Sequence, residues 1–194
     1  MPYFPLFIEL KGRQVVVIGG GKVASRKVEK LLPFEPKIRV VAPKVSSYIE
    51  NLEREGRIEL IRRKVRLKDL SDAFMVIVAV DSLRLQERVY KYCLRKGIHC
   101  NAVDSPDFCT FLFPALVLRG SLVVGVSTSG KVPALARAVR EYLETCLPDN
   151  LESLIGELET LRKSLPKGEE RAERLMQVIK EKMNTILQRL QKSI

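Results

Sequence analysis

Apolar residues along this chain fall in short runs separated by charged, amphipathic stretches, the alternation expected of an α/β protein. Residues 15–18 (VVVI) form the first run, 37–41 (KIRVV) the second, 58–61 the third, 74–80 (FMVIVAV) the fourth and 98–103 the fifth. The fourth run, apolar at every position, suits a strand covered by helices on both faces of a parallel sheet, since a half-wet strand would alternate. Between the runs the pattern is helical. One helix opens near Lys22. Ser46 or Ser47 caps a second, which runs to about Arg54 and is stopped by Gly56. A third extends from about Ser82 to Lys96 and ends at Gly97. The order β-α-β-α-β-β-α-β predicts a Rossmann-like, doubly wound parallel sheet.

After residue 113 the rhythm changes. Residues 115–118 and 122–127 read as two strands around Arg119-Gly120-Ser121, a hairpin signal. Thr128-Ser129-Gly130-Lys131 makes a polar turn, and Pro133 suits the first turn of a helix that reaches Cys146 before Pro148 closes it. Farther on, Leu151, Leu154, Ile155, Leu158 and Leu161 share one helical face, and Pro166-Lys167-Gly168 breaks the run. Ala172, Leu175, Ile179, Met183, Ile186 and Leu190 then line one stripe of a long charged helix. A helical hairpin alone cannot bury both stripes, so packing on the rest of the protein or on a second subunit is expected. The chain divides into residues 1–113, 114–147 and 148–194.

Chemistry enters at the turn after the first run. Gly19-Gly20-Gly21 lies between an apolar strand and the opening of a helix, the order of a dinucleotide-binding corner. Gly19 allows the tight turn, Gly21 lets the backbone approach a pyrophosphate, and Ala24 takes the third small position of a G-x-G-x-x-A pattern. The helix from Lys22 points its free N–H groups and positive dipole end at the phosphates. Without the legible strand and helix on either side, such glycines would signify only a tight turn. An NAD site usually carries an acid about 20 positions farther on, at the end of the second strand. Here that strand ends Val41-Ala42-Pro43-Lys44, so the rule by itself leaves NADP open.

Composition narrows the class. At 194 residues and 46% hydrophobic, the chain is globular, and no apolar stretch approaches the roughly 20 residues of a membrane span. The start, MPYFPLFIELKGR, lacks the pattern of a signal peptide. The four cysteines (Cys93, Cys100, Cys109, Cys146) have neither zinc-like spacing nor the density of a disulfide scaffold, so they read as core or surface thiols in a reduced cytoplasm. The formal charge of +11 is spread over the chain, with no Trp and no basic block interleaved with aromatics. That argues against a nucleic-acid partner and leaves a solvated basic surface or a polyanionic small substrate. His99 is the only histidine, and no stable metal site is expected.

The segments PLFIELKGRQVVVIGGGKVASRK at 5–27, VVAP at 40–43 and CNAVDSPDFCTFLFPALVLRGSLVVGVSTSGKVPALARAVRE at 100–141 carry a resemblance. Together they resemble the precorrin-2 dehydrogenase family, the amino-terminal module of siroheme synthases, some members of which also act as sirohydrochlorin ferrochelatase. The resemblance covers the first 150 or so residues. Its most specific part is N-x-V-D, then F-x-F-P, a hairpin, and S-T-x-G-x-x-P-x-L-A-R. It implies NAD⁺-dependent oxidation of precorrin-2, an octacarboxylate tetrapyrrole, to sirohydrochlorin, with Fe²⁺ as a further substrate in members that chelate. Residues 1–113 are then the NAD-binding domain, 114–147 the dimerisation region of a homodimer, and 148–194 a helical domain. With no methyltransferase module in the sequence, precorrin-2 would come from a separate enzyme. The family shares the V-A-P ending and uses NAD. Backbone groups of Pro43 and Lys44 are accordingly expected at the adenosine end, and Lys22 and Val23 at the pyrophosphate.

Asp104 is the first choice for catalysis. It stands just past the carboxyl end of the fifth strand, where open α/β sheets bind ligands, and a carboxylate there can accept the proton lost as hydride leaves. The family ties the aspartate of this motif to catalysis. The competing reading makes it a cap on the Ser105-Pro106 turn. Ser127 and Thr128 open the polar turn before a helix N-terminus suited to a substrate carboxylate, and Arg137 closes the same motif. Some members carry a serine at the Thr128 position that is modified and affects chelation; threonine here puts that feature in doubt. Asn101 reads as structural. His99 reads as a partly buried strand histidine, with an approach to the pocket as the alternative. A different class, an NAD(H)-sensing regulatory module without catalysis, has no need of the 104–137 constellation.

Overall fold

The structure is a computed structural model that describes residues 3–148 and 151–191, with side-chain surroundings given through Lys182. Met183, Ile186 and Leu190, expected on the apolar stripe of the last helix, lie outside the described side chains.

The five runs pair in parallel. Strand β1 (Gln14–Ile18) is central, flanked by β2 (Lys37–Val41) and β4 (Met75–Val78), with β3 (Glu59–Ile61) and β5 (His99–Ala102) at the edges. The order is β3-β2-β1-β4-β5, every pair parallel. Alternate residues of each strand feed opposite layers of core. Val15 and Val17 join Val40 and Ile77 under helices α1 (Lys22–Leu31) and α2 (Ser47–Arg54), through Ala24, Val28, Ile49 and Leu52. On the other face Val16 and Ile18 join Val76 and Val78 beneath helix α3 (Leu83–Lys96), through Val89 and Cys93. Both faces are dry along β1 and β4, which is why those two runs are apolar without alternation, whereas β2 carries half-buried Arg39 and edge strand β3 has no buried residue.

Helix ends follow local chemistry. The Ser46 Oγ accepts the Ile49 N–H at 3.4 Å, and the Ser82 Oγ accepts the Leu85 N–H at 3.4 Å. Gly97 ends α3 in the left-handed region, φ 66°, where its N–H meets the last carbonyls. The sheet strands are shorter than the apolar runs, because Phe74, Ala79, Val80 and Val103 extend past the paired residues. Between β3 and β4 a 3₁₀ turn at Leu67–Leu70, not foreseen in the sequence, puts Leu70 into the core. Asp69 fixes that turn by accepting two 2.7 Å bonds from Arg63 and one of 2.8 Å from the Arg66 N–H.

The chain forms two compact units, Tyr3–Phe113 and the residues from Pro114 onward. In the second, β6 (Ala115–Arg119) and β7 (Leu122–Val126) form an antiparallel hairpin, and α4 (Pro133–Cys146) packs on it through Ala136. Helix α5 (Leu151–Ser164) supplies Glu152, whose carboxylate accepts the Ser121 N–H at 2.6 Å and the Ser121 hydroxyl at 3.0 Å, pinning the hairpin turn. A salt bridge of 2.9 Å from Lys182 to Glu157 joins α6 (Glu169–Gln191) to α5. Ala172, expected on the apolar stripe of α6, is exposed, while Leu175 and Ile179 are half-buried.

Candidate dinucleotide and substrate site

Chain connections leave β1 for β2 on one side and β4 on the other, so the carboxyl end of β1 opens at a topological switch point. The three glycines there have different reasons to be glycine. Gly19 has φ 116°, and a Cβ on it would run into the Ala79 carbonyl. A Cβ on Gly20 would collide with the Lys44 carbonyl and Val45. Gly21 faces open space, with nothing within 4 Å of where its Cβ would be. Backbone bonds hold the loop: the Gly19 N–H donates to the Val41 oxygen at 3.1 Å, and the Ser46 N–H to the Gly20 oxygen at 2.8 Å. Ala24 is fully buried against the sheet, as the third small position requires. Lys22 and Val23 are exposed on the first turn of α1, and Pro43 and Lys44 are exposed just past β2.

This cradle fits a dinucleotide pyrophosphate: open space lies over Gly21, at the N-terminus of a ten-residue helix with no side-chain cap. Past β2 the segment 41–47 offers Lys44 and the Ser46 and Ser47 hydroxyls and no carboxylate. The Ser25 Oγ donates to the Gly21 oxygen at 3.0 Å and lies 2.8 Å from the Ser46 Oγ. Sequence reading missed the part played by Gly20; its signal was a third consecutive glycine that the G-x-G-x-x-A pattern does not demand.

Asp104 sits at the carboxyl end of β5, two strands from β1, about 10 Å along the sheet. It is exposed and left-handed, φ 60°, a conformation that Asp tolerates better than most residues. Its carboxylate makes no hydrogen bond among the described residues. The turn is closed instead by the Ser105 N–H to the Ala102 oxygen at 3.3 Å, so the carboxylate is not spent as a cap.

What holds Asp104 in place is a frame that sequence reading did not find. Gln86, buried on α3, donates to the Val80 oxygen at 2.7 Å and the Val103 oxygen at 3.5 Å, and accepts the Ser105 hydroxyl at 2.6 Å. Its signal was a polar residue on the stripe shared by the buried Val89 and Cys93. Buried Asn101 donates to the Phe111 oxygen at 3.0 Å, and Thr110 exchanges backbone and hydroxyl bonds with Cys100. Asn101 is therefore structural, as expected.

His99 lies at the amino end of β5, paired with Met75 and edge-on to Phe74 at 5.1 Å and Phe111 at 6.3 Å between centroids. Asp104 stands past the opposite, carboxyl end of the same strand. The Phe111 and Phe113 rings stack obliquely at 5.3 Å, and the Lys27 Nζ of α1 lies 4.0 Å from the Phe113 centroid. Burial pushes the Lys27 ammonium down to about 8, helped by nearby Lys30, while Cys109 and Asp104 act in the opposite direction.

Ser127, Thr128 and Arg137 belong to the second unit. The Ser127 Oγ accepts the Ser129 N–H at 3.0 Å, and the Thr128 Oγ1 accepts the Val132 N–H at 3.0 Å. Arg137 is exposed on α4 in a 3.2 Å ion pair with Glu141. The two hydroxyls thus shape the turn that leads into α4. Among the described residues no helix is long and apolar enough to cross a membrane.

Comparison with known proteins matches these features to a family. Residues 6–115 fit a family model described as "Putative NAD(P)-binding". The chain is 41% identical over 151 residues to siroheme synthase 1 of Serratia proteamaculans (strain 568), covering 78% of this chain and 32% of that protein. With the siroheme synthase of Neisseria meningitidis serogroup C (strain 053442) the identity is 38% over 151 residues, again 78% and 32% of the two chains. This chain therefore spans about a third of the length of the curated relatives it matches. A solved structure, "SirC, precorrin-2 dehydrogenase", superposes with a TM-score of 0.74 at 28% identity, over 98% of this chain and 100% of that one. The glycine corner lies inside the matched segment, and on that match the chain belongs to the NAD(P)-binding family.

Proposed function

We propose that this chain is a precorrin-2 dehydrogenase, oxidising precorrin-2 to sirohydrochlorin with NAD⁺ on the route to siroheme. The observation that carries this reading is the end-to-end likeness to the solved precorrin-2 dehydrogenase, which includes the second unit as well as the common Rossmann unit. The oxidation removes a hydride and a proton from the tetrapyrrole. Bound at Gly19–Ala24, with Lys22 and Val23 beside its pyrophosphate and Pro43 and Lys44 beside its adenosine, NAD⁺ supplies the hydride acceptor. Asp104, with its carboxylate unengaged, takes the proton.

In the same reading residues 1–113 hold the cofactor, 114–147 form the interface of a homodimer, and 148–194 complete a helical domain. Ser127, Thr128 and Arg137 contact substrate carboxylates. The site of action is the reducing cytoplasm, which suits four free cysteines. Where Fe²⁺ is inserted afterwards, Asp104 also receives pyrrole N–H protons.

The test is anaerobic incubation with precorrin-2 and NAD⁺, following NADH and sirohydrochlorin absorbance together, with and without Fe²⁺. NADH formed one for one with sirohydrochlorin supports the dehydrogenase reading; no NADH under these conditions overturns it. A siroheme spectrum only with Fe²⁺ and active protein supports the chelatase step.

A further inference from the structure

Lys27 is a basic residue of the first unit that the cofactor reading leaves without a task. It lies five positions into α1, past the first turn that faces the pyrophosphate. It is half-buried, its ammonium lies over the Phe113 ring, and it forms no salt bridge or hydrogen bond among the described residues. The other lysines of this unit are all exposed to water, and two of them are also paired, Lys11 with Glu35 at 2.8 Å and Lys91 with Glu87 at 2.6 Å. A cation drawn out of water without a counter-ion is an unfavourable arrangement, and the aromatic face compensates only in part. Its neighbours place it at the substrate side of the unit. Asp104 and Cys109 both act on it electrostatically, and Phe113 belongs to the segment that Asn101 and Thr110 fasten beside β5.

We propose that Lys27 binds a carboxylate of the tetrapyrrole substrate next to Asp104, fixing the ring so that the proton to be lost faces the Asp104 carboxylate. The inference rests on the precorrin-2 reading for the identity of the substrate and goes beyond it in naming the cation. A polycarboxylate brings the counter-ion that the free protein lacks. The Phe113 ring blocks the ammonium on one side, so an incoming carboxylate approaches along the remaining open directions. An isolated neutral ligand would gain nothing from this arrangement.

The sign of the pH effect follows. Near pH 7 the ammonium is mostly charged; above about 8 it loses its proton, and with it the attraction for a carboxylate. The groups facing it are Lys30 on its own helix and Asp104 and Cys109 after β5. Burial pushes the Cys109 thiol up, so that thiol stays neutral through the same range. Substrate affinity is thus expected to fall as pH rises from 7 to 9, and arginine, charged throughout, would remove the dependence.

Two readouts decide the matter. In turnover, Lys27→Met raises KM for precorrin-2 by on the order of 10- to 100-fold, the span of a lost charged hydrogen bond, with NAD⁺ affinity by calorimetry unchanged and Lys27→Arg close to wild type. In binding, quenching of uroporphyrin fluorescence uses a stable octacarboxylate as probe. Wild type binds it more weakly at pH 9 than at pH 7, Lys27→Arg binds it equally at both, and Lys27→Met binds it weakly at both. A Lys27→Met protein with wild-type uroporphyrin affinity, or one that loses NAD⁺ affinity in the same proportion, overturns the proposal, as does a wild type that binds no uroporphyrin. Failure of wild type to oxidise precorrin-2 while these binding differences hold would overturn the dehydrogenase reading and leave the carboxylate site standing.

Discussion

At the scale of residues, adjacent identical side chains carry separable duties. Gly20 is required by the protein's own packing, since any Cβ meets the Lys44 carbonyl. Gly20→Ala is expected to destabilise the unit by about 1–3 kcal/mol, the usual range for overpacking, with a lowered Tm by calorimetry whether or not NAD⁺ is present. Gly21 meets nothing, so Gly21→Asp should keep the wild-type Tm and lose NAD⁺ affinity by titration, because the new carboxylate occupies the phosphate position. Wild-type affinity in that variant would displace the cofactor site. Asp104 needs a different comparison. Its φ of 60° makes alanine there strained by about 1 kcal/mol, so Asp104→Ala mixes backbone strain with chemistry. Asn accepts the left-handed region but takes no proton at neutral pH. Asp104→Asn should therefore fold and bind NAD⁺ as wild type does while precorrin-2 oxidation falls about 10²- to 10⁴-fold. Turnover by Asp104→Asn near the wild-type rate would reduce Asp104 to an orienting role.

At the scale of elements, the 3₁₀ turn between β3 and β4 is held by a charge. Arg63 and the Arg66 N–H together keep the Asp69 carboxyl down at about 2 from its ordinary 3.8, and its side chain is only 5% exposed. A depressed carboxyl stabilises the fold fully above its unfolded value and less as pH falls through the folded one. Stability should decline between about pH 4 and pH 2, by about 2 kcal/mol for this group. Asp69→Asn is expected to flatten that part of an acid-denaturation curve and to lower Tm at pH 7; an unchanged acid limb would show that the pair contributes nothing. This turn also marks the limit of what patterning reveals. The two central strands β1 and β4 were plainest in the sequence because residues 15–18 and 75–78 are dry on both faces. The strand ends were not plain, since Ala79 and Val80 continue the apolar run past the last residues in register. In the candidate site, Gly19, Gly21, Ala24 and Asp104 could be found because their tasks are local to a turn. Gln86 and Lys27 could not. Their tasks arise only when α3 and α1 are brought against the chain after β5, and nothing in the spacing of one helix announces that meeting.

At the scale of the whole molecule, the second unit leaves apolar surface that its own helices do not cover. On α4 and the residue that caps its start, Val132, Leu135, Val139 and Tyr142 follow one another at spacings of three, four and three and are all exposed, Tyr142 at 69%. Ala136 lies off this stripe, turned inward and buried. A contiguous apolar stripe about 15 Å long by helical rise is unusual on a protein that stays alone, and a second copy meeting it across a two-fold axis would cover both stripes at once. The sequence places no acid on the stripe itself, whereas Glu141 and Glu144 flanking it are held by Arg137 and Arg140. Wild type is therefore expected to scatter light as a dimer at micromolar concentration, with a Tm that rises with protein concentration. Leu135→Glu places a carboxylate at the middle of the stripe, where it would be buried without a partner in the dimer. That variant should be a monomer with its Rossmann unit still able to bind NAD⁺, because no cofactor contact lies in α4. A Leu135→Glu protein that remains dimeric would move the interface off α4, and a monomeric wild type would remove it altogether.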